Sequence, residues 1–192
     1  MGKNFLLVAE VKTISPFNFK SSKSWEELFE IANKEGDILS IHTNPKWGGS
    51  FELIREARKR TSKPILAKGI HSSDEDIKRA LEAGANFVLV VGRIPLICLD
   101  KCWIEPLNLH ELSQIPPTFK VVWNTRDLST GKLKEESFQE ARNIWKGWMC
   151  QASNLKTIKD IKEGVDAVLV GTHLEEFVES LKLINGQNNT KT

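Results

Sequence analysis

Five charged or amide side chains stand at the ends of short apolar runs in this 192-residue chain: Glu10, Lys12, Lys68, Glu105 and Asn124. Buried strands of a parallel sheet are covered on both faces and consist of continuous apolar runs, so polar side chains at the ends of such runs are unusual. Two lysines and two carboxylates that meet in one cavity would shift one another's pKa values and support acid–base chemistry. The alternative is that some of them form salt bridges that only fill the interior.

A second group of residues has the features of an anion site. The run Asp166-Ala167-Val168-Leu169-Val170-Gly171-Thr172 predicts a strand that ends in glycine just before a helix. A helix N-terminus offers unpaired N–H groups and the positive end of its dipole to a phosphate. Ser153, which follows the preceding predicted strand, adds a hydroxyl group. The pattern therefore indicates phosphate binding near Gly171, Thr172 and Ser153, and an ordinary strand-to-helix turn is the alternative.

The elements that must position these residues alternate between strand and helix, which predicts a parallel sheet with helices packed outside it. Eight strands indicate closure into a (β/α)8 TIM-type barrel, whose active sites lie at the carboxyl ends of the strands. Because side chains alternate along a strand, Glu10 and Lys12 should both point towards that end. The predicted strands are Phe5–Lys12, Ile38–Thr43, Pro64–Ile70, Asn86–Gly92, Cys102–Pro106, Phe119–Asn124, Gly147–Gln151 and Val165–Gly171. The predicted helices are Trp25–Glu35, Ser50–Arg60, Ser73–Ala83, Glu135–Trp145, Thr157–Lys162 and Leu174–Leu183.

The chain is short for this fold, which typically takes about 250 residues. Too few residues separate Gly92 from Cys102 for a helical crossover, and the segment Leu107–Thr118 is also cramped. We therefore expect a trimmed barrel whose helices are missing or shortened around strands four to six. Residues 1–184 are expected to form one phosphate-binding domain, and residues 185–192 a polar, frayed tail.

Composition excludes several other classes of protein. A net charge of +2 with scattered basic residues gives no reason to expect a nucleic-acid partner. The apolar N-terminal stretch is too short for a membrane span and lacks a signal-peptide cleavage pattern, so we expect a cytoplasmic location and no membrane partner. The cysteines Cys98, Cys102 and Cys150 form no CxxC pair, and the four histidines have no HxH or HExxH spacing, so no metal site is expected. The sequence leaves the oligomeric state open.

Six segments, in order along nearly the whole chain, are similar to strand motifs of one known enzyme family. Ala9–Pro16 is similar to the first-strand motif, close to AEVKxxSP, and Leu39–Ser50 resembles the second-strand motif LSVLTxxKYFGGS with one residue missing. The others are similar to the third-strand PxLRK, the fifth-strand LVE, the sixth-strand INxRDL and the eighth strand, at Pro64–Lys68, Trp103–Glu105, Trp123–Leu128 and Ala167–Thr172. In these segments the chain resembles the indole-3-glycerol-phosphate synthases.

The resemblance implies a lyase of tryptophan biosynthesis that works without cofactor or metal. Its substrate would be a small sugar phosphate, 1-(o-carboxyphenylamino)-1-deoxyribulose 5-phosphate, which is converted into indole-3-glycerol phosphate, carbon dioxide and water. Lys68 would be the general acid, Glu105 would transfer a proton in the dehydration, and Glu10 and Asn124 would hold Lys68 and the substrate hydroxyls. Lys12 would steady the substrate carboxylate or phosphate. The implied phosphate contacts are Ser15, Arg126, Gly171 and Thr172, beside the hydroxyl of Ser153.

The chain departs from the family pattern in three places. Family members carry an additional N-terminal helix over the barrel, which we expect this chain to lack. The seventh-strand motif ESGI aligns without gaps with Ala152–Leu155, which removes a carboxylate and a glycine, whereas a one-residue shift would put Gln151 at the carboxylate position. The Asp-Phe after the catalytic lysine is replaced by Gly69-Ile70. These departures leave two other functions open, namely a barrel that acts on a different sugar phosphate or amine adduct and a non-catalytic relative.

Overall fold

The computed structural model describes residues 4–188 and contains a closed barrel of eight parallel strands. The barrel strands are β1 (Leu6–Val11), β4 (Ile38–His42), β5 (Ile65–Lys68), β6 (Phe87–Val91), β7 (Cys102–Glu105), β8 (Lys120–Asn124), β9 (Met149–Ala152) and β10 (Ala167–Val170). Around the barrel they follow the order β1-β10-β9-β8-β7-β6-β5-β4, so the predicted (β/α)8 fold is confirmed. A small antiparallel hairpin, β2 (Ile14–Ser15) and β3 (Phe19–Lys20), follows β1.

In the described part of the chain, six α-helices pack around the barrel. They are α1 (Trp25–Glu35), α2 (Phe51–Arg60), α3 (Asp74–Glu82), α4 (Leu109–Gln114), α5 (Phe138–Ile144) and α6 (Leu174–Asn188). Ser24, Ser73 and Ser137 each begin a helix with a capping box, in which serine and the third helical residue satisfy each other's backbone N–H groups. Within residues 4–188, no helix combines the length and the apolar character that crossing a membrane requires.

The barrel is trimmed where the spacing predicted it. Between β6 and β7 the described chain forms only the 3₁₀ turn Leu99–Lys101, and between β7 and β8 it forms the six-residue helix α4. The predicted helix Thr157–Lys162 is wrong, because Asp160 caps a single 3₁₀ turn at Ile158–Asp160 and the backbone is extended at Ile161.

Two other local differences have simple physical reasons. Helix α4 was not predicted, and it depends on the Asn108 cap and on burial of Leu112. The last helix does not stop at Leu183 but continues to Asn188, so residues 185–188 of the predicted tail are helical. No strong helix breaker follows Leu183 until Gly186, and a single glycine costs a helix only about 1 kcal/mol. Residues 189–192 lie outside the described residues.

The lower half of the barrel interior is filled by apolar side chains. Val8, Leu66, Leu89 and Val122 point inward together with Trp103, while the intervening residues pack against the helices. Because the side chains alternate, the next inward position on several strands lies at the carboxyl end of the barrel, which we call the mouth. The charged and amide side chains at the carboxyl ends of several strands lie there.

Candidate active site

The mouth contains a cavity of about 370 Å³. Glu10, Lys68, Glu105 and Asn124 reach it from β1, β5, β7 and β8, and each occupies an inward position near the end of its strand. The structure brings all ten residues singled out from the sequence to this cavity: Glu10, Lys12, Ser15, Lys68, Glu105, Asn124, Arg126, Ser153, Gly171 and Thr172. The interior position of Lys68, on which the sequence interpretation depends, is therefore observed.

Glu10 is the centre of a charge network. Its Oε1 accepts from Lys68 Nζ at 2.5 Å, and its Oε2 lies 3.1 Å from Lys12 Nζ. Burial acts to raise the pKa of Glu10, but the two lysines and a neighbouring histidine outweigh burial and hold this pKa well below its usual value. Burial acts to lower the pKa of Lys68, but Glu10 and Glu105 more than offset it, so the pKa of Lys68 is raised. Lys68 is consequently a charged ammonium group that carries a transferable proton at neutral pH.

Glu105 occupies the opposite electrostatic environment. It is 2% exposed, and this burial raises its pKa, while Lys68 and Asn124 partly oppose the shift. Asn124 Nδ2 donates to Glu105 Oε1 at 2.9 Å, and Asn124 Oδ1 accepts from Ser153 Oγ at 2.6 Å. The amide therefore fixes the orientation of the carboxyl group. A carboxyl group with a raised pKa beside an ammonium group is suited to proton transfer near neutral pH.

The part of the cavity where the sequence predicts anion binding is formed by the loops after β9 and β10. Gly171 follows β10 directly and precedes α6, and Ser153 follows β9. Ser153 and Asn154 both have left-handed backbones, with φ of 69° and 55°. Asn154 therefore adopts a conformation that glycine favours and that asparagine tolerates better than most residues. Arg126 lies at the rim, where its Nη1 donates to the carbonyl oxygen of Gly131 at 2.8 Å.

The chain is similar to curated indole-3-glycerol phosphate synthases over most of its length, although no family model matches it. The enzyme of Sulfurisphaera tokodaii is 27% identical over 202 residues, which cover 92% of this chain and 80% of the relative. The enzyme of Staphylococcus haemolyticus is 25% identical, with 94% of this chain and 80% of the relative covered. These similarities are consistent with a divergent relative of the indole-3-glycerol phosphate synthases. The indole-3-glycerol phosphate synthase of Thermococcus kodakarensis is 33% identical over 92 residues, which are 46% of this chain and 40% of that protein.

The structure settles the alignment of the seventh barrel strand with the indole-3-glycerol phosphate synthase motif. Cys150 and Ala152 of β9 face the barrel interior. Gln151 is buried outside the mouth, where its Nε2 donates to the Asp160 carbonyl oxygen at 3.0 Å and its Oε1 accepts from Lys162 N at 2.9 Å. The one-residue shift is therefore wrong. Ala152 occupies the position of the motif's glutamate, so β9 places no carboxylate in the cavity.

Sequence reasoning missed four ionisable residues that line the cavity, namely His42, Lys156, Asp160 and His173. His42 ends β4 and is 4% exposed, and its Nε2 lies 2.9 Å from Glu10 Oε1. The signal was present, because His42 ends the mostly apolar run Ile38–Ile41 as the other polar residues end theirs. Phe17, Phe19 and Trp47 also line the cavity and were not singled out.

Gly171→Ala is expected to reduce kcat/KM by about tenfold to a hundredfold, because weakening a hydrogen bond to a charged group costs about 1.5–3 kcal/mol. A Cβ at Gly171 would overlap Glu10 Oε2, so the carboxylate must leave its two lysines. The backbone of Gly171 does not need a positive φ, so any fall in the free energy of unfolding should come from the displaced carboxylate and not from backbone strain. Steady-state kinetics and urea unfolding measure the two effects. An unchanged kcat/KM would show that the position of Glu10 is unimportant.

Proposed function

We propose that this chain converts 1-(o-carboxyphenylamino)-1-deoxyribulose 5-phosphate into indole-3-glycerol phosphate, carbon dioxide and water, as a step of tryptophan biosynthesis. One observation carries the proposal. Lys68, a largely buried ammonium group oriented by Glu10, shares a cavity with Glu105, whose pKa is raised by burial. The names of the relatives support the same reaction.

The reaction needs a proton donor at the ketone oxygen while the aromatic ring carbon attacks the carbonyl carbon. Lys68 supplies that proton, and Glu10 holds the ammonium group in place through the 2.5 Å contact. The bond to the ring carboxylate then breaks and carbon dioxide leaves. Glu105 transfers a proton in the following loss of water, and Asn124 keeps its carboxyl group oriented. Positioned acid–base groups typically contribute about 10²–10⁴-fold to steps of this kind.

The anionic groups of the substrate bind at the cationic and N–H-rich rim. Gly171 and Thr172 precede α6, whose N-terminal end attracts phosphate, and the hydroxyls of Ser15 and Ser153 lie in the same cavity. Lys12 and Arg126 add positive charge, which favours a dianionic phosphate and a carboxylate. Trp47 offers an aromatic surface for the substrate ring in place of the missing wall at Gly69-Ile70.

The proposal is tested by mixing the purified chain with the carboxyphenylamino deoxyribulose phosphate and following indole fluorescence. The expected result is formation of indole-3-glycerol phosphate with one carbon dioxide released for each product molecule. The Lys68→Ala variant, purified in the same way, shows whether the turnover belongs to this protein. Saturable binding without turnover would contradict the proposal and indicate a non-catalytic relative. If the chain shows neither binding nor turnover, the result would indicate that it acts on a different substrate.

A further inference from the structure

His42 is an ionisable residue at a position where the second-strand motif of the family has leucine. Its ring is stacked on Trp47, with centroids 6.1 Å apart and planes 4° from parallel. A Cβ at Gly49 would overlap the backbone of His42, so the chain is closely packed on that side. The imidazole is therefore confined on two sides, and its Nε2 faces Glu10 Oε1 at 2.9 Å.

The surroundings of His42 define its protonation state. Glu10 is ionised, because the neighbouring positive charges hold its pKa well below the usual value, so the hydrogen of this contact belongs to Nε2. The other ring nitrogen, Nδ1, is buried and has no hydrogen-bond partner among the described residues. A second proton on Nδ1 would lack an acceptor, and burial lowers the pKa of His42 although Glu10 opposes the shift. The ring is a neutral Nε2–H donor at neutral pH.

The oxygen that accepts from His42 also orients Lys68. Glu10 Oε1 receives both His42 Nε2 and Lys68 Nζ, whereas Oε2 faces Lys12. We propose that His42 is a positioning residue for Lys68: by donating to Glu10 it fixes the carboxylate that holds the ammonium group, a role that rests on the proposed lyase activity. The charged groups facing His42 are Glu10 and Lys12, from β1 and the residue just beyond it, and Lys68 from β5. A neutral donor fixes the carboxylate without adding a third positive charge.

Kinetics of two variants separate hydrogen bonding from space filling. In His42→Gln the side-chain amide can donate to Glu10 but cannot titrate, and in His42→Leu an apolar group fills the space. Only leucine removes the hydrogen-bond donor to the charged carboxylate, so His42→Leu should lower kcat about tenfold with little change in KM. The kcat of His42→Gln should stay within about threefold of that of the parent. If both variants lose the same factor in kcat, or if His42→Leu loses less than His42→Gln, the positioning role is overturned.

An NMR titration tests the same network without relying on turnover. The ring nitrogens of ¹⁵N-histidine-labelled protein are followed against pH in the parent, Glu10→Gln and Lys68→Met, with exposed Lys78→Met as the control. The His42 titration should move to lower pH without the Glu10 charge and to higher pH without the Lys68 charge, and it should be unchanged in the control. By thermodynamic reciprocity, if the charge on Lys68 shifts the pKa of His42, the protonation of His42 shifts the pKa of Lys68 by the same amount.

The two experiments distinguish the two possible failures. If the variants show the titration shifts but the parent protein shows no turnover, the proposed function is overturned, while the His42–Glu10–Lys68 coupling stands. Turnover in a protein whose His42 titrates identically in all variants would overturn the role of His42 and leave the proposed function intact. A neutral ring with its proton on Nδ1 rather than Nε2 would also overturn the positioning role.

Discussion

Lys68→Arg is expected to lower kcat by about 10²–10⁴-fold and to change KM much less, because it removes a general acid but keeps a positive charge beside Glu10. The guanidinium group has a pKa above about 12 and does not release its proton in proteins. The ion pair with Glu10 can still form, so the fold should survive with a modest loss of stability. Steady-state kinetics with the carboxyphenylamino substrate measure the effect.

Lys12→Arg is the matched control for this substitution. Lys12 also contacts Glu10, at 3.1 Å from Oε2, and its side chain is 17% exposed, close to the 16% of Lys68. Because its proposed role is to attract an anionic group, arginine should preserve it, and kcat should stay within about tenfold of the parent. A Lys68→Arg variant that retains the kcat of the parent would contradict the assignment of Lys68 as the proton donor.

Much of this site follows from one-dimensional patterns. Short apolar runs that alternate with helical segments predicted the eight strands. The polar residues that end four of these runs predicted the residues at the mouth, because parallel strands present their carboxyl ends to the same side. Lys68 and Glu105 were found in this way although 37 positions separate them in the sequence. The same rule would have found His42. Metal-ligand spacing alone gives no signal at His42, whereas its position at the end of a strand does.

Other features depend on packing that no local pattern encodes. The outward direction of Gln151 follows from its bonds to Asp160 and Lys162, which the loop after β9 brings back against the strand. Without this contact, both alignments of the seventh-strand motif were acceptable. The opposite pKa shifts of Glu10 and Glu105 are likewise a tertiary effect. Both carboxyl groups are buried, but hydrogen-bond donors and positive charges surround the first far more closely than the second.

Glu105→Gln is expected to lower kcat by about a hundredfold with little effect on KM, because glutamine keeps the shape of the side chain but cannot transfer a proton. The pH profile gives a second readout. To accept a proton Glu105 must be ionised, and burial raises its pKa, so the kcat of the parent should fall towards acid pH from a higher pH than for an ordinary glutamate. Lys68 remains protonated throughout this range, since its pKa is raised. The residual activity of Glu105→Gln should lack this decline.

Glu163→Gln is the control, because Glu163 is exposed and lies outside the cavity. It should leave both kcat and the pH profile unchanged. Equal losses of kcat and substrate affinity in Glu105→Gln would contradict proton transfer and indicate a binding role. An acid decline that persists unchanged in Glu105→Gln would assign that titration to another group. The distinction matters because β9 carries Ala152 in place of the motif's glutamate. Among the described residues, Glu10 and Glu105 are therefore the two carboxyl groups in the mouth that contact or face Lys68.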